Sequence, residues 1–135
     1  MVQRIPTRTP ARHAFVLVRA PHRPELLVMS GDELVIGRDP SADLHLDHPI
    51  VSAFHARILV GRQHVTVEDL GSRNKTLVAG RPARQSVLDD GETIRIGPWS
   101  LEFVQDIVTD RMGLDRRLGT LPRRIVRARG VADST

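Results

Sequence analysis

The chain has 135 residues, 40% of them apolar, which is room for one domain with modest tails and enough apolar side chains for a core. Only Phe15, Phe54, Phe103 and Trp99 are aromatic and Tyr is absent, so that core must be aliphatic. Cysteine is absent too, which excludes disulfides, cysteine-ligated metals and thiol nucleophiles.

The formal charge of +4 is unevenly spread. Residues 1–12 carry three Arg and no acid, and residues 111–135 carry seven Arg against Asp115 and Asp133. The remaining ten bases face 14 acids over residues 13–110, so the basic character belongs to the ends and the middle is acidic. The longest apolar run, Ala14 to Val18, is far short of the ~20 residues of a membrane helix, and no apolar signal stretch stands at the N-terminus. No transmembrane segment and a cytoplasmic location are the resulting expectations.

In chain order, residues 1–12 mix Pro, Thr and Arg without periodicity and read as a flexible leader. Strand-sized runs follow at Phe15–Val18, Leu26–Met29, Leu34–Ile36, Leu44–Leu46, Ile58–Val60, Val65–Val67, Leu77–Val78, Thr93–Ile96 and Leu101–Val104. Turn-forming groups separate them, among them Ser30-Gly31-Asp32, Asp39-Pro40-Ser41, Gly71-Ser72-Arg73-Asn74 and Asp89-Asp90-Gly91. Several runs alternate apolar and polar residues, as in Thr93-Ile94-Arg95-Ile96, which gives one buried and one wet face. No stretch over residues 14–104 keeps helical spacing for three turns, so the pattern predicts an all-β sandwich over residues 13–106. Residues 107–135 read as a basic tail or linker, with one short helix over Ile107–Leu121 as an option that Gly113 and Gly119 interrupt.

Four short signals stand in or beside predicted loops: Gly37-Arg38, Ser52 with His55 three residues on, Asn74 with Thr76, and Asp90-Gly91. An Arg at a strand end with a Ser and an Asn in two other loops can converge at one end of a sandwich. Such a set suits an oxyanion. Arg offers a planar fork for two phosphate oxygens, a Ser hydroxyl can hold a third, and an Asn amide both donates and accepts, so it can clamp a peptide backbone.

The stretches "VIGRDPSADLHLDHPIVSAFHARI", "VEDLGSRNKTLVAG" and "LDDGETIRIG", in order over roughly residues 34–104, resemble the forkhead-associated (FHA) domain family. The resemblance implies an eleven-stranded, antiparallel-type β-sandwich whose apical loops bind phosphothreonine in a partner peptide. It implies a reader with no catalysis and no cofactor, working on the products of Ser/Thr protein kinases. Carried over by position, Arg38 would bond the phosphate, Ser52 would contact it through hydroxyl and backbone, and Asn74 would hold the peptide main chain. Arg73 would add a phosphate contact, and Lys75, which is not carried over from the family, would add a second cation near it. Gly37, His55 and Thr76 would support the loops without touching ligand.

Two positions depart from the family pattern: Lys75 stands where Gly usually follows the Asn, and Ala53 where a polar residue often follows the Ser. Any positive φ at Lys75 must therefore be carried by a residue with a Cβ. These departures motivate an alternative, an FHA-like scaffold that binds partners without phosphate.

Other chemistry fits poorly. Ile50-Val51-Ser52-Ala53-Phe54 lacks the glycines of a hydrolase nucleophile elbow. His45, His48 and His55 with Asp43 and Asp47 match no familiar metal-ligand spacing, and no nucleotide-binding glycine loop or metalloprotease helix motif occurs. Arg116, Arg117, Arg123, Arg124, Arg127 and Arg129 suit electrostatic contact with nucleic acid or a membrane surface, but no aromatic in either end offers base stacking, so no specific nucleic-acid binding is expected. Thr7 and Thr9, in Pro-Thr-Arg-Thr-Pro, would give the domain a phosphothreonine of its own if a kinase modified them.

Overall fold

In the computed structural model, residues 12–19, 24–107 and 123–127 are described. Thr7, Thr9, the optional helix beyond Ile107 and residues 128–135 lie outside them. The described residues contain twelve strands: β1 (Arg12–Val18), β2 (Glu25–Ser30), β3 (Glu33–Gly37), β4 (Leu44–His45), β5 (Ala56–Val60), β6 (Val65–Asp69), β7 (Leu77–Val78), β8 (Arg81–Pro82), β9 (Gln85–Leu88), β10 (Thr93–Ile96), β11 (Trp99–Ile107) and β12 (Arg123–Arg127). Two sheets result, one of seven strands in the order β12-β2-β1-β11-β10-β7-β8 and one of five in the order β4-β3-β5-β6-β9.

The alternation read from the sequence is what packs these sheets face to face. In β10, Ile94 and Ile96 are buried while Thr93 and Arg95 are exposed, and in β6 Val65 and Val67 turn inward. The core is aliphatic, as composition demands, apart from Phe15 on β1 and Phe103 on β11, adjacent strands whose rings meet at 5.3 Å between centroids. On the outer face of the five-stranded sheet Arg57 ties three strands together, bonding Glu33 at 2.9 Å and Glu68 at 2.5 Å. Those two hydrogen bonds, with Glu33 the larger influence, hold the Arg57 pKa above its ordinary value.

Eleven of the strands make the expected sandwich. Two pairings are parallel, β3 with β4 and β2 with β12. The second departs from the sequence reading, in which residues 123–127 belong to a tail: Arg123 to Arg127 run beside Leu26 to Ser30 and close the edge of the seven-stranded sheet. A strand edge left open exposes unpaired N–H and C=O groups, so pairing outweighs the polar character of this segment.

Register fixes which loops share an end. Ile36 lies opposite Ala56 and Glu33 opposite Leu59, so the β3–β4 and β4–β5 loops gather at one end, called upper here, with the β6–β7 and β10–β11 connections. The β2–β3, β5–β6 and β9–β10 turns gather at the lower end. The Asp90-Gly91 signal is therefore a lower-end turn, remote from the other three.

Candidate functional site

Arg38, Pro49, Ile50, Val51, Ser52, Ala53, Arg73 and Asn74 surround one cavity of about 260 Å3 at the upper end. Three separate loops deliver them, and the backbone explains how. The Arg38 N–H donates to the Ser52 carbonyl at 2.9 Å and the Asp39 N–H to the Ala53 carbonyl at 3.1 Å, which zips the β3 exit onto the β4–β5 loop. Gly37 sits under this contact because there is no room for a side chain there.

His55 joins the second and third loops from beneath. Its ring is fully buried. The Ser52 N–H donates to Nδ1 at 3.0 Å, so that nitrogen must be the acceptor. Nε2 then carries the hydrogen and donates to the Lys75 carbonyl at 2.8 Å. The ring orientation and tautomer are thus both set by backbone groups on either side of the cavity.

Across the cavity, Ser52 Oγ accepts from the Arg73 N–H at 3.1 Å, leaving its own O–H free to donate. Asn74 Nδ2 donates to the Ile50 carbonyl at 2.8 Å, which leaves Oδ1 as the acceptor it offers. Arg38 Nη1 makes one long bond, 3.3 Å, to the Pro49 carbonyl, and the rest of its donor fork is exposed. The cavity therefore presents two guanidinium groups, one hydroxyl donor and one amide acceptor. It has no carboxylate in its lining.

The β6–β7 loop is held by a residue not singled out in the sequence, Asp69. Its carboxylate accepts from the Ser72 hydroxyl, from Thr76 Oγ1 at 2.7 Å and from the Gly71 and Ser72 amides at 3.0 Å. Burial alone would push its pKa up, but the Ser72 and Thr76 hydroxyls and these amides outweigh burial and hold it below the usual value. Thr76, buried, earns its place in the motif through this bond. The sequence signal was available, since Asp69-Leu70-Gly71-Ser72 is a plain Asx-turn pattern.

Of the residues expected to meet ligand, Arg38, Ser52, Arg73 and Asn74 come together. Lys75 does not line their cavity; it lines a neighbouring hollow of about 500 Å3 with Asp69, Ser72 and Arg84. Its φ is 72°, so it carries the left-handed conformation that a glycine would adopt without strain. Gly37, His55 and Thr76 lie outside the cavity lining as well. A larger hollow of about 800 Å3 at the lower end, around Glu33, Arg57 and the β5–β6 turn, holds none of the motif residues. Among the described residues no group of three or more His, Asp or Glu could hold a metal; Asp43 instead accepts from the Val35 amide. No helix among them is long and apolar enough to cross a membrane.

Comparison with known proteins agrees with the fold. Residues 34–97 match the FHA domain family. The chain is 34% identical over 90 residues to an oxoglutarate dehydrogenase inhibitor of Corynebacterium jeikeium, and 33% identical over 96 residues to its Corynebacterium efficiens counterpart. These alignments take in 67% and 70% of this chain. This chain belongs to the FHA domain family. It is also 30% identical over 95 residues, 70% of its length, to the glycogen accumulation regulator GarA of Mycobacterium tuberculosis. The matches span 62%, 68% and 59% of the lengths of the three relatives respectively. A solved FHA domain from work on phosphothreonine-dependent FHA domain interactions superposes with a TM-score of 0.62 and 27% identity, covering 69% of this chain and 95% of that one.

Proposed function

We propose that this FHA domain is a non-catalytic reader of phosphothreonine in partner proteins, coupling a Ser/Thr kinase signal in the cytoplasm to the partner it binds. The observation that carries this reading is the convergence of Arg38, Ser52, Arg73 and Asn74 on one cavity, with most of the Arg38 fork, the Ser52 O–H and Asn74 Oδ1 left to meet a ligand. A phosphate dianion placed there meets the Arg38 fork and the Ser52 O–H, each a charge-assisted bond. Arg73 supplies a second cation. Asn74 Oδ1 accepts a main-chain N–H of the peptide beside the phosphothreonine. Two named relatives that regulate metabolic processes, together with the phosphothreonine-dependent structural neighbour, favour the same role. A phosphate on Thr7 or Thr9 would be a ligand within the same chain, competing at high effective concentration with partner peptides.

Titration of the chain against a degenerate phosphothreonine peptide library and its unphosphorylated twin tests the reading, with Arg38→Gln as control. The expected result is binding that requires the phosphate and weakens by about tenfold or more in the variant. Equal binding to both libraries, or an unchanged Arg38→Gln, overturns it in favour of a scaffold that docks partners without phosphate. A leader peptide phosphorylated at Thr7 or Thr9 that competes no better than its unmodified form removes the intrachain ligand.

A further inference from the structure

Each of the two sheets ends in two edge strands, and among the described residues three of these four edges are poor partners for further pairing. β12 carries three arginines in five residues, β8 is two residues long and includes Pro82, and β4 is two residues long. The fourth edge, β9, has none of these defences. Gln85-Ser86-Val87-Leu88 is uncharged, contains no proline and pairs with β6 without a register shift. Val87, in its middle, is 47% exposed.

The backbone of β9 is open on the side away from β6. The Asp69 amide donates to the Arg84 carbonyl at 2.8 Å, in the same register that pairs Glu68 with Gln85. Successive residues of an antiparallel ladder turn their backbone groups to alternate sides. Arg84, Ser86 and Leu88 therefore bond toward β6, while the N–H and C=O of Gln85 and Val87 face outward. No other strand among the described residues pairs with them.

The two corners beside this edge are opposite in charge. Lys75 and Arg84 share the hollow at its upper end, and Asp89, Asp90 and Glu92 stand in the turn at its lower end. Among the described residues both ion pairs belong to Arg57, so neither Arg84 nor Asp89 has a salt-bridge partner there. An edge that is basic at one end and acidic at the other is complementary to itself reversed.

We propose that β9 is a self-association edge, through which two copies of this chain pair antiparallel about a two-fold axis and join their five-stranded sheets into one of ten. Such an axis stands normal to the sheet and keeps both cores on the same side, so even-numbered residues meet even-numbered ones. Centred on Val87, the pairing sets that side chain against its own copy and Arg84 opposite Asp90 of the partner subunit. Centred on Ser86, it would set Arg84 against a leucine and forfeit the Val87 contact. The basic upper corner of each copy then lies beside the acidic lower turn of the other, twice over. No residue of the phosphate cavity takes part. The cavities open at opposite ends of the pair, so a dimeric reader holds two partner molecules.

A four-residue edge buries little area, so the dimer is weak. Sedimentation of the whole chain should show a monomer–dimer equilibrium with a dissociation constant of about 100 μM, rising with salt. Val87→Lys sets two ammonium groups face to face and should weaken the dimer about tenfold or more, with the melting temperature unchanged because the side chain is exposed. The chain has no cysteine, so Val87→Cys creates a single labelling site. A short bismaleimide should join two copies through position 87, and should not do so through Arg62→Cys on the exposed β5–β6 turn. A chain that stays monomeric to about 1 mM overturns the proposal and leaves the edge to a strand from a different protein. A dimer indifferent to Val87→Lys, or one that crosslinks equally at both positions, overturns it by placing the contact on another face. None of these readouts involves phosphopeptide, so the phosphothreonine reading stands or falls separately.

Discussion

The carbonyl oxygen of Ala53 stands 2.0 Å from the position a Cβ on Gly37 would take, and the Ala53 carbonyl carbon 2.7 Å. The obstacle is backbone on both sides, so nothing flexible can swing aside. Gly37→Ala must therefore push the 53–54 segment away and break the bonds from Arg38 and Asp39 to Ser52 and Ala53. We expect a loss of about 3 kcal/mol in unfolding free energy and the disappearance of phosphopeptide binding, measured by chemical denaturation and by titration.

His55 and Arg38 should separate stability from recognition. His55→Ala removes a fully buried ring together with its bonds to Ser52 N–H and the Lys75 carbonyl, at about 3 kcal/mol. Arg38 is exposed, so Arg38→Gln should leave the melting temperature nearly unchanged while abolishing binding. A His55→Ala protein that melts like the parent would mean the ring does not brace the loops.

Lys75 holds φ at 72°, a conformation that disfavours any residue with a Cβ. Lys75→Gly should stabilise the fold by about 0.5 kcal/mol, the relief of that strain less the extra entropy of glycine when unfolded. Because Lys75 lies outside the cavity lining, phosphopeptide affinity should stay within about twofold. A large fall in affinity would return Lys75 to the ligand set expected from the sequence.

Asp69 gives the domain an acid-sensitive loop. Its hydroxyl and amide donors keep its pKa below the usual 3.8, so the ionised form is favoured in the folded state. The stabilisation is complete above 3.8 and fades as pH falls through the lower, folded value. Asp69→Asn should cost about 2 kcal/mol at neutral pH and should flatten the decline of stability in that acidic window, as read from denaturation midpoints across pH.

Much of this was legible because burial follows alternation. The β10 and β6 faces and the aliphatic core follow from residue types and spacing, whereas the meeting of Arg38, Ser52 and Asn74 was legible through the resemblance to the FHA family. β9 escaped notice because Gln85 to Leu88 buries only Leu88 fully, and β8 because Arg81 and Pro82 are both exposed; each strand exists through pairing with a neighbour and carries no pattern of its own. β12 hid inside an arginine-rich segment, since edge pairing recruits backbone groups whatever the side chains. Lys75 and Arg73 adjoin the same Asn yet line different hollows, a divergence produced by one backbone angle that composition does not encode.

The cavity and the opposite end of the sandwich also differ in sign. Arg38 and Arg73 line the cavity, which holds no carboxylate, whereas Asp32, Asp89, Asp90 and Glu92 occupy turns at the lower end. Positive charge gathered at the cavity and acids at the far end orient the domain toward an approaching polyanion during diffusion, so that productive collisions outnumber those on the acidic turns. Added salt should then slow capture of a phosphorylated partner far more than it hastens release, which makes ionic strength a control on how fast the signal is read.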